Sequence, residues 1–541
     1  MAITADYVVV AGAVLAICAR ALYPLLQPLL VRFWSPIRHL SGPSSASFSW
    51  GNVRQMEDNT ALVHANWIAQ YGKVFKINAE FGTHRLFVAD TRAVSHVLTN
   101  SDVYQKPRSN TRSLMHTLGP GILTVEGDTH RKQRRTLNPA FGLAHLRELT
   151  TIFDDKAIQL RDILLSKISN GGSTSAEVNI VPLLHKCTLD IIGMAGFEYD
   201  FGVLERSDSP NELNDAMRKM FSTPMSPLDV MHNMLPITRI IPSKRDACVR
   251  DARVVMDNVG YQLIARMKAD VIANAEGRAV EKKDFQGKSL LSLLVKANMA
   301  SDLPETQRLT DEEMLGQIPT FIVAGHETTS TSVTWITYAL SAHPEIQEKL
   351  RNEILASDFG DRPTMGQLSE LSYLDAVAHE TLRMYPPVPM LTRAAVENDV
   401  IPTAETWTDA RGVEQTGVRV AAGDTVTISI MAMHRSKEIW GDDADVFRPE
   451  RWLGGAPAGA AALTGVWANS LTFSAGPRSC IGYLFSVVET KALVYTLIRS
   501  LRFSLAIPEA DIGVKSRGIM RPFRISKPEA GAQLLVNISA A

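Results

Sequence analysis

The run FSAGPRSCIG (473–482) sets a cysteine in a short Gly/Ser/Pro stretch between a strand-like and a helix-like apolar segment. Cys480 is one of four cysteines, with Cys18, Cys187 and Cys248. None stands in a C-x-x-C pair and no histidine pair has zinc spacing, which argues against a structural zinc site. So few cysteines in so long a chain also argue against a disulfide framework. Cys480 is then a buried bystander, a nucleophile, or a ligand to something other than zinc. A buried thiolate is costly unless hydrogen-bond donors and positive charge face it. Gly476 and Gly482 bracket the cysteine and offer backbone N–H groups without side-chain crowding. Arg478 lies two residues before it. The apolar run YLFSVVETKALVYTLI after it offers a helix N-terminus whose dipole favours a negative sulfur. The context suits a stabilised thiolate, as a haem-iron ligand requires. A nucleophile of low pKa has the same needs, although the sequence nominates no base for it.

Other stretches hold residues that packing alone does not explain. In AGHETT (324–329) a glycine, an acid and two hydroxyls interrupt an apolar helix-like run. A glycine in a helix interior disfavours it by up to about 1 kcal/mol. The bland reading is a kinked helix with satisfied side chains. Glu380 and Arg383 stand i,i+3 in ETLR, a pairing that contributes only about 0.2–0.5 kcal/mol on a helix surface. His130 and Arg134 lie i,i+4 on one helical face of GDTHRKQRRTLNPAF.

The elements that would carry these residues are mostly helical. Thr310-Asp-Glu-Glu313 fits a capping box. From there an apolar run extends to Ala342, where His343-Pro344 stops it. That helix would span roughly 48 Å at 1.5 Å per residue. Because it is apolar on nearly every side, it should be buried along most of its length. Pro344–Leu355 and Met365–Met384 read as two further helices. VFKINAEF (74–81) and HRLFVAD (84–90) read as a hairpin. VRVAAGDTVTISI (418–430) alternates as a strand. DFQGKSLLSL (284–293) and LPETQRLTDEEM (303–314) read as an exposed connection leading into a helix.

The chain has 541 residues, is 45% hydrophobic and carries a formal charge of −1, so nothing in its charge suggests a nucleic-acid partner. Cysteine usage fits a reducing compartment. Tyr7–Val31 is apolar apart from Arg20, and about 20 helical residues cross a bilayer core. Asp6 before it and Arg32 and Arg38 after it predict an anchor with the body in the cytoplasm. A buried or interfacial helix is the rival reading, given Pro24 and Pro28. SGPSSASFSWGN (41–52) reads as a hinge. The expected organisation is an anchor over 1–34, a hinge over 35–52 and one catalytic domain over 53–541.

FSAGPRSCIG resembles the haem-binding loop of the cytochrome P450 family, with Phe473, Gly476, Arg478, Cys480 and Gly482 at the family's spacing. AGHETT resembles the oxygen-activating segment of the family's long central helix. ETLR (380–383) resembles its Glu-x-x-Arg, and FRPERW (447–452) resembles the segment that packs against that pair. The resemblance covers roughly residues 40–530. It implies a mainly α fold with small β-sheets (α+β), a long central helix over haem b, and an N-terminal membrane helix. It implies Cys480 as the iron's thiolate ligand. Ala324 and Gly325 would open a groove for O2, Thr328 would hydrogen-bond the dioxygen, and Glu327 would relay protons through water. His326 would point away from the iron. Glu380, Arg383 and Arg451 would form a buried ion network. His130, Arg134, Arg393 and Arg478 would serve the haem propionates as cationic partners, and Phe473, Gly482 and Ala324 would line the haem. Phe321, Val388, Met390 and Ile519, in the last case within Gly518–Met520, would face a lipophilic substrate.

No G-x-G-x-x-G fingerprint is present, so electrons must come from a partner. An anchored, cytoplasm-facing body implies NADPH–cytochrome P450 reductase, with cytochrome b5 as a second donor, at the endoplasmic-reticulum membrane. The expected protein is a monomeric monooxygenase of fungal style, acting on a terpenoid or steroid in secondary metabolism. The alternatives are a same-fold hydroperoxide isomerase or peroxygenase, against which Glu327-Thr328 argues, and a haem-binding protein without turnover.

Overall fold

The capping box at Thr310 forms. A computed structural model describes Gly12 and residues 33–541, except 59, 206–210, 275–288, 302–303, 305–307 and 410. In it the Thr310 hydroxyl accepts from the Glu313 backbone N–H at 3.1 Å, and the Thr310 N–H donates to the Glu313 carboxylate at 2.8 Å. The helix so opened runs Asp311–Ala342, as the sequence predicts. The expected anchor over Tyr7–Val31 lies outside the described residues. Among the described residues, the one helix long and apolar enough to cross a membrane is Ile180–Phe197, which is mostly buried within the fold.

The elements that position the site are β1 Val74–Asn78, β2 His84–Val88, β3 Tyr104–Gln105, β4 Met390–Ala395, β5 Thr425–Ser429, β6 Ser470–Ala475, β7 Ile512–Arg517 and β8 Ile519–Arg524. The helices are α1 Gly127–Leu137, α2 Leu143–Asn170, α3 Ile180–Phe197, α4 Asp311–Ala342, α5 Ser372–Met384 and α6 Tyr483–Ser500. The largest sheet has the order β1-β2-β5-β4-β3. The expected hairpin pairs Val74 with Val88, and β5 joins it in parallel. One hydrophobic core lies among α2, α3, α4 and α6, and a second lies under the sheet.

The central helix α4 is buried over Glu313–Ile322 and Thr329–Thr337. Several of its hydroxyls are tolerated there by bonding a carbonyl one turn back: Thr334 to Ser330 at 2.8 Å, Thr337 to Val333 at 2.9 Å and Ser341 to Thr337 at 2.7 Å. Gly325 lets α3 approach, since a Cβ there would stand 3.0 Å from the Ile192 side chain. The Thr188 hydroxyl donates to the His326 carbonyl at 3.0 Å and fastens the two helices together.

Three expected elements differ. Met365–Met384 is two helices, because Leu371 is extended and the Glu353 carboxylate accepts from the Tyr373 and Leu374 N–H groups at 2.7 and 2.9 Å, capping a new start. The run 418–430 is two strands in different sheets, because Asp424 caps an AAGD turn by accepting from Ala421 N–H at 2.8 Å. Leu290–Leu294 belong to a buried helix, not to an exposed connection, and Ser289 is its N-cap. The stretch expected as a hinge bonds to β1: Lys76 N–H donates to Ser41 at 2.9 Å and Asn78 donates to Pro43 at 2.9 Å.

On α2, burial pushes the Asp154 carboxyl up to about 7, with Oδ1 unpartnered among the described residues. The fold binds this proton more tightly than the unfolded chain does. Stability from this group is therefore full at low pH and lost as pH rises from about 4 to 7. Asp154→Asn should flatten that slope and stabilise the fold at pH 8 by up to about 4 kcal/mol. Denaturant midpoints at pH 5 and pH 8 check this.

Candidate functional site

Cys480 stands on the loop between β6 and α6. Gly476 turns the chain there at φ +67°, and any Cβ would meet the Leu98 carbonyl oxygen at 2.3 Å. Glycine is therefore required at this turn. Cys480 N–H donates to the Phe473 carbonyl at 2.9 Å, closing the loop. The thiol is deep-set yet open to solvent. Burial pushes its pKa up, while the Gly482 backbone N–H and the Arg134 charge act to lower it. Arg134, on α1, donates to both the carbonyl and the hydroxyl of Ser479. Phe473 packs edge-on against Trp467 at 5.4 Å and tilted against Tyr483 at 6.0 Å.

The opening on α4 is confined to Val323–Thr328, with Ala324 exposed. A small apolar residue exposed in the middle of a buried helix marks a concave face. Phe141 links this face to the cysteine loop: its ring meets Phe321 at 5.5 Å and lies 3.5 Å from where a Cβ on Gly482 would be. The Thr329 and Ser486 hydroxyls join α4 to α6 at 3.1 Å. Thr328 donates to the Ala324 carbonyl at 2.7 Å, leaving its oxygen as an acceptor. Glu327 is ion-paired with Arg521 of β8 at 2.7 Å. His326 turns toward α3 and donates Nδ1–H to the Ile322 carbonyl at 2.7 Å.

A cationic group flanks the loop. Arg478 pairs with Glu126 and donates to the Val125 carbonyl at 2.9 Å. Burial lowers the pKa of Arg393 to about 10, and among the described residues it has no acidic partner. Lys106, missed by the sequence reading, is pushed down to about 7 by burial and then by Arg478 and Arg393. Glu126 also accepts from Lys106 at 3.1 Å. One carboxylate thus faces two cations, Arg478 and Lys106. Burial, then Lys106 and Arg134, lower the pKa of His130 to about 4. An apolar concavity, an open thiol and surplus cations fit a flat apolar ring system that carries a ligated metal and carboxylates.

Behind the loop lies a buried ion network. Glu380 accepts from Arg383 Nε and Nη2 at 2.8 Å each, from Arg451 Nε at 2.9 Å, from the Arg448 N–H at 3.0 Å and from Trp452 Nε1 at 2.9 Å. Burial acts to raise the Glu380 carboxyl, but the Arg383 bonds hold it below the usual range. His434 extends the network. Its Nδ1–H donates to the Arg383 carbonyl at 3.0 Å, and its Nε2 accepts from Leu471 N–H at 2.9 Å. Leu471 lies on β6, which leads into the cysteine loop.

The residues expected to face substrate are partly gathered. Met520 N–H donates to the Pro387 carbonyl at 2.8 Å, which sets the β7–β8 turn and Ile519 beside Val388. Met390, on β4, pairs with Ser429. Val388, Met390 and Ile519 are half-buried and Phe321 is buried. Met520 itself is buried against Trp335 and Met431, so it belongs to packing and not to a substrate surface.

The family model for cytochrome P450 matches residues 41–522. The chain is similar to cytochrome P450 monooxygenase 205 of Postia placenta, 41% identical over 99% of this chain and 98% of that one. It is 43% identical to cytochrome P450 monooxygenase 128 of the same fungus, over 97% and 96% of the two chains. It is 33% identical to cytochrome P450 monooxygenase claQ of Ampulloclitocybe clavipes, over 87% and 86%. With the cysteine loop, the open central helix and the Glu380 network, these matches place the chain in the cytochrome P450 family of haem-thiolate monooxygenases.

Proposed function

We propose that this monooxygenase inserts one atom of O2 into a lipophilic terpenoid- or steroid-class molecule of secondary metabolism. Its electrons come from NADPH through cytochrome P450 reductase, with cytochrome b5 as a second donor. Haem b is its prosthetic group. The observation that supports the reading most is the open Cys480 thiol facing the Arg134 charge, with Arg393 lacking an acidic partner among the described residues. Its place at the endoplasmic-reticulum membrane rests on the sequence of residues 7–31.

Bound haem supplies the storage of electrons and the activation of O2, which side chains cannot perform. The chain supplies the rest. Cys480 is the thiolate ligand, favoured by the Gly482 N–H and Arg134. Arg134, Lys106, Arg393 and Arg478 hold the carboxylates. The Thr328 oxygen accepts a hydrogen bond from the reacting group or its water. Glu327 moves a proton toward Thr328 after leaving Arg521, which ties the step to movement of β8. Phe321, Val388, Met390 and Ile519 exclude water and hold the substrate.

The test is turnover of the purified protein with reductase, NADPH and a terpenoid and steroid panel. Substrate-dependent NADPH oxidation with a hydroxylated product is expected; turnover with a hydroperoxide but not with NADPH and reductase would overturn the reading. Thr328→Ala should keep full haem content while product per NADPH falls about tenfold or more and peroxide rises. Unchanged product per NADPH would remove Thr328 from proton delivery.

A further inference from the structure

His326 and Glu327 face a third group across the α3–α4 contact. His185 lies one turn before Thr188, whose hydroxyl grips the His326 carbonyl at 3.0 Å. That grip brings the two imidazoles to 5.9 Å between ring centres, edge to face. One ligand atom from each of His185, His326 and Glu327 lies within 4.8 Å of the other two. All three side chains are half-buried, on helices otherwise packed against each other.

The tautomer is set for metal. The Ile322 carbonyl can only accept, so His326 Nδ1 carries the proton and Nε2 presents its lone pair. Metal-bound histidines use this arrangement, with the other ring N–H given to a carbonyl or carboxylate. The His185 ring nitrogens have no hydrogen-bond partner among the described residues. Arg521 occupies Oε2 of Glu327 at 2.7 Å, which leaves Oε1 without a partner among the described residues.

We propose that His185, His326 and Glu327 form a site for a first-row divalent cation, zinc above all, on the α3 side of the central helix. Two imidazoles and one carboxylate suit zinc and disfavour magnesium and calcium. Ligand bonds of about 2.0–2.1 Å would place the donors roughly 3.4 Å apart, a contraction that side-chain rotation supplies. Arg521 is the charge that opposes the cation. Zinc at this site takes Glu327 out of proton delivery, so it inhibits; that consequence rests on the role proposed for Glu327 above.

The test is equilibrium dialysis of the haem-loaded full chain with zinc alone, magnesium serving as control. One zinc per chain is expected beyond what His185→Phe binds, with affinity in that variant lower by at least about tenfold. Equal zinc affinity in the wild type and His185→Phe would overturn the site. Should His185→Phe lose haem, Arg521→Gln reads the same site from the other direction. It should bind zinc more tightly than the wild type, and unchanged affinity would overturn the proposal. Product per NADPH, measured with and without zinc, separates the two readings. Zinc that binds here without lowering it overturns the role of Glu327 and supports the metal site. Failure to bind overturns the metal site and leaves Glu327 untouched.

Discussion

Cys480→Ala abolishes NADPH-dependent product formation while the chain stays folded. The expectation follows from how little the fold asks of this side chain. The loop is closed by the Cys480 backbone N–H on the Phe473 carbonyl at 2.9 Å, a bond that alanine keeps. The sulfur itself is open to solvent, so its loss leaves no cavity in a packed core. What alanine removes is the thiolate that pushes electron density onto the iron and favours O–O cleavage. Burial raises the free thiol's pKa, so coordination must take its proton outright. Turnover should fall to background, with far-UV circular dichroism unchanged. Full activity in the variant would sink the ligand assignment.

Arg383→Met carries the largest expected loss of stability, about 3–5 kcal/mol. Glu380 and Arg383 are both fully buried, and Arg383 also donates to the His434 and Ala444 carbonyls at 2.6 and 2.7 Å. Methionine fills the stem's space but leaves a buried carboxylate facing Arg451 alone among charged partners. The damage should spread through His434 and Leu471 to β6, so purified protein should also hold less haem. The double variant Glu380→Leu with Arg383→Met removes both charges and should lose less than the sum of the singles. Additive losses in denaturant unfolding would show that the pair acts as two independent residues.

The residues legible in the sequence were those whose chemistry is local. A glycine-bracketed cysteine, an i,i+3 Glu–Arg pair and a Thr-x-x-Glu cap each announce themselves within ten residues. The cap and the helix it opens have the predicted bounds because capping and a proline stop are short-range effects. The split at Leu371 was not legible, since its cause is Glu353 on another helix. Arg521 was missed for the same reason: it lies 194 residues from Glu327, and only the fold joins them. Lys106 and His434 carry no motif of their own. The burial of His130 was not legible either, since its sequence context shows only the neighbouring cations.

The most direct test of Cys480 as the iron ligand is the spectrum of the reduced wild-type protein with carbon monoxide. A Soret band shifted far to the red is the expected result, and Cys480→Ala should lose it. A band at the position of haem with a neutral ligand, in fully folded and active protein, would contradict thiolate ligation by Cys480.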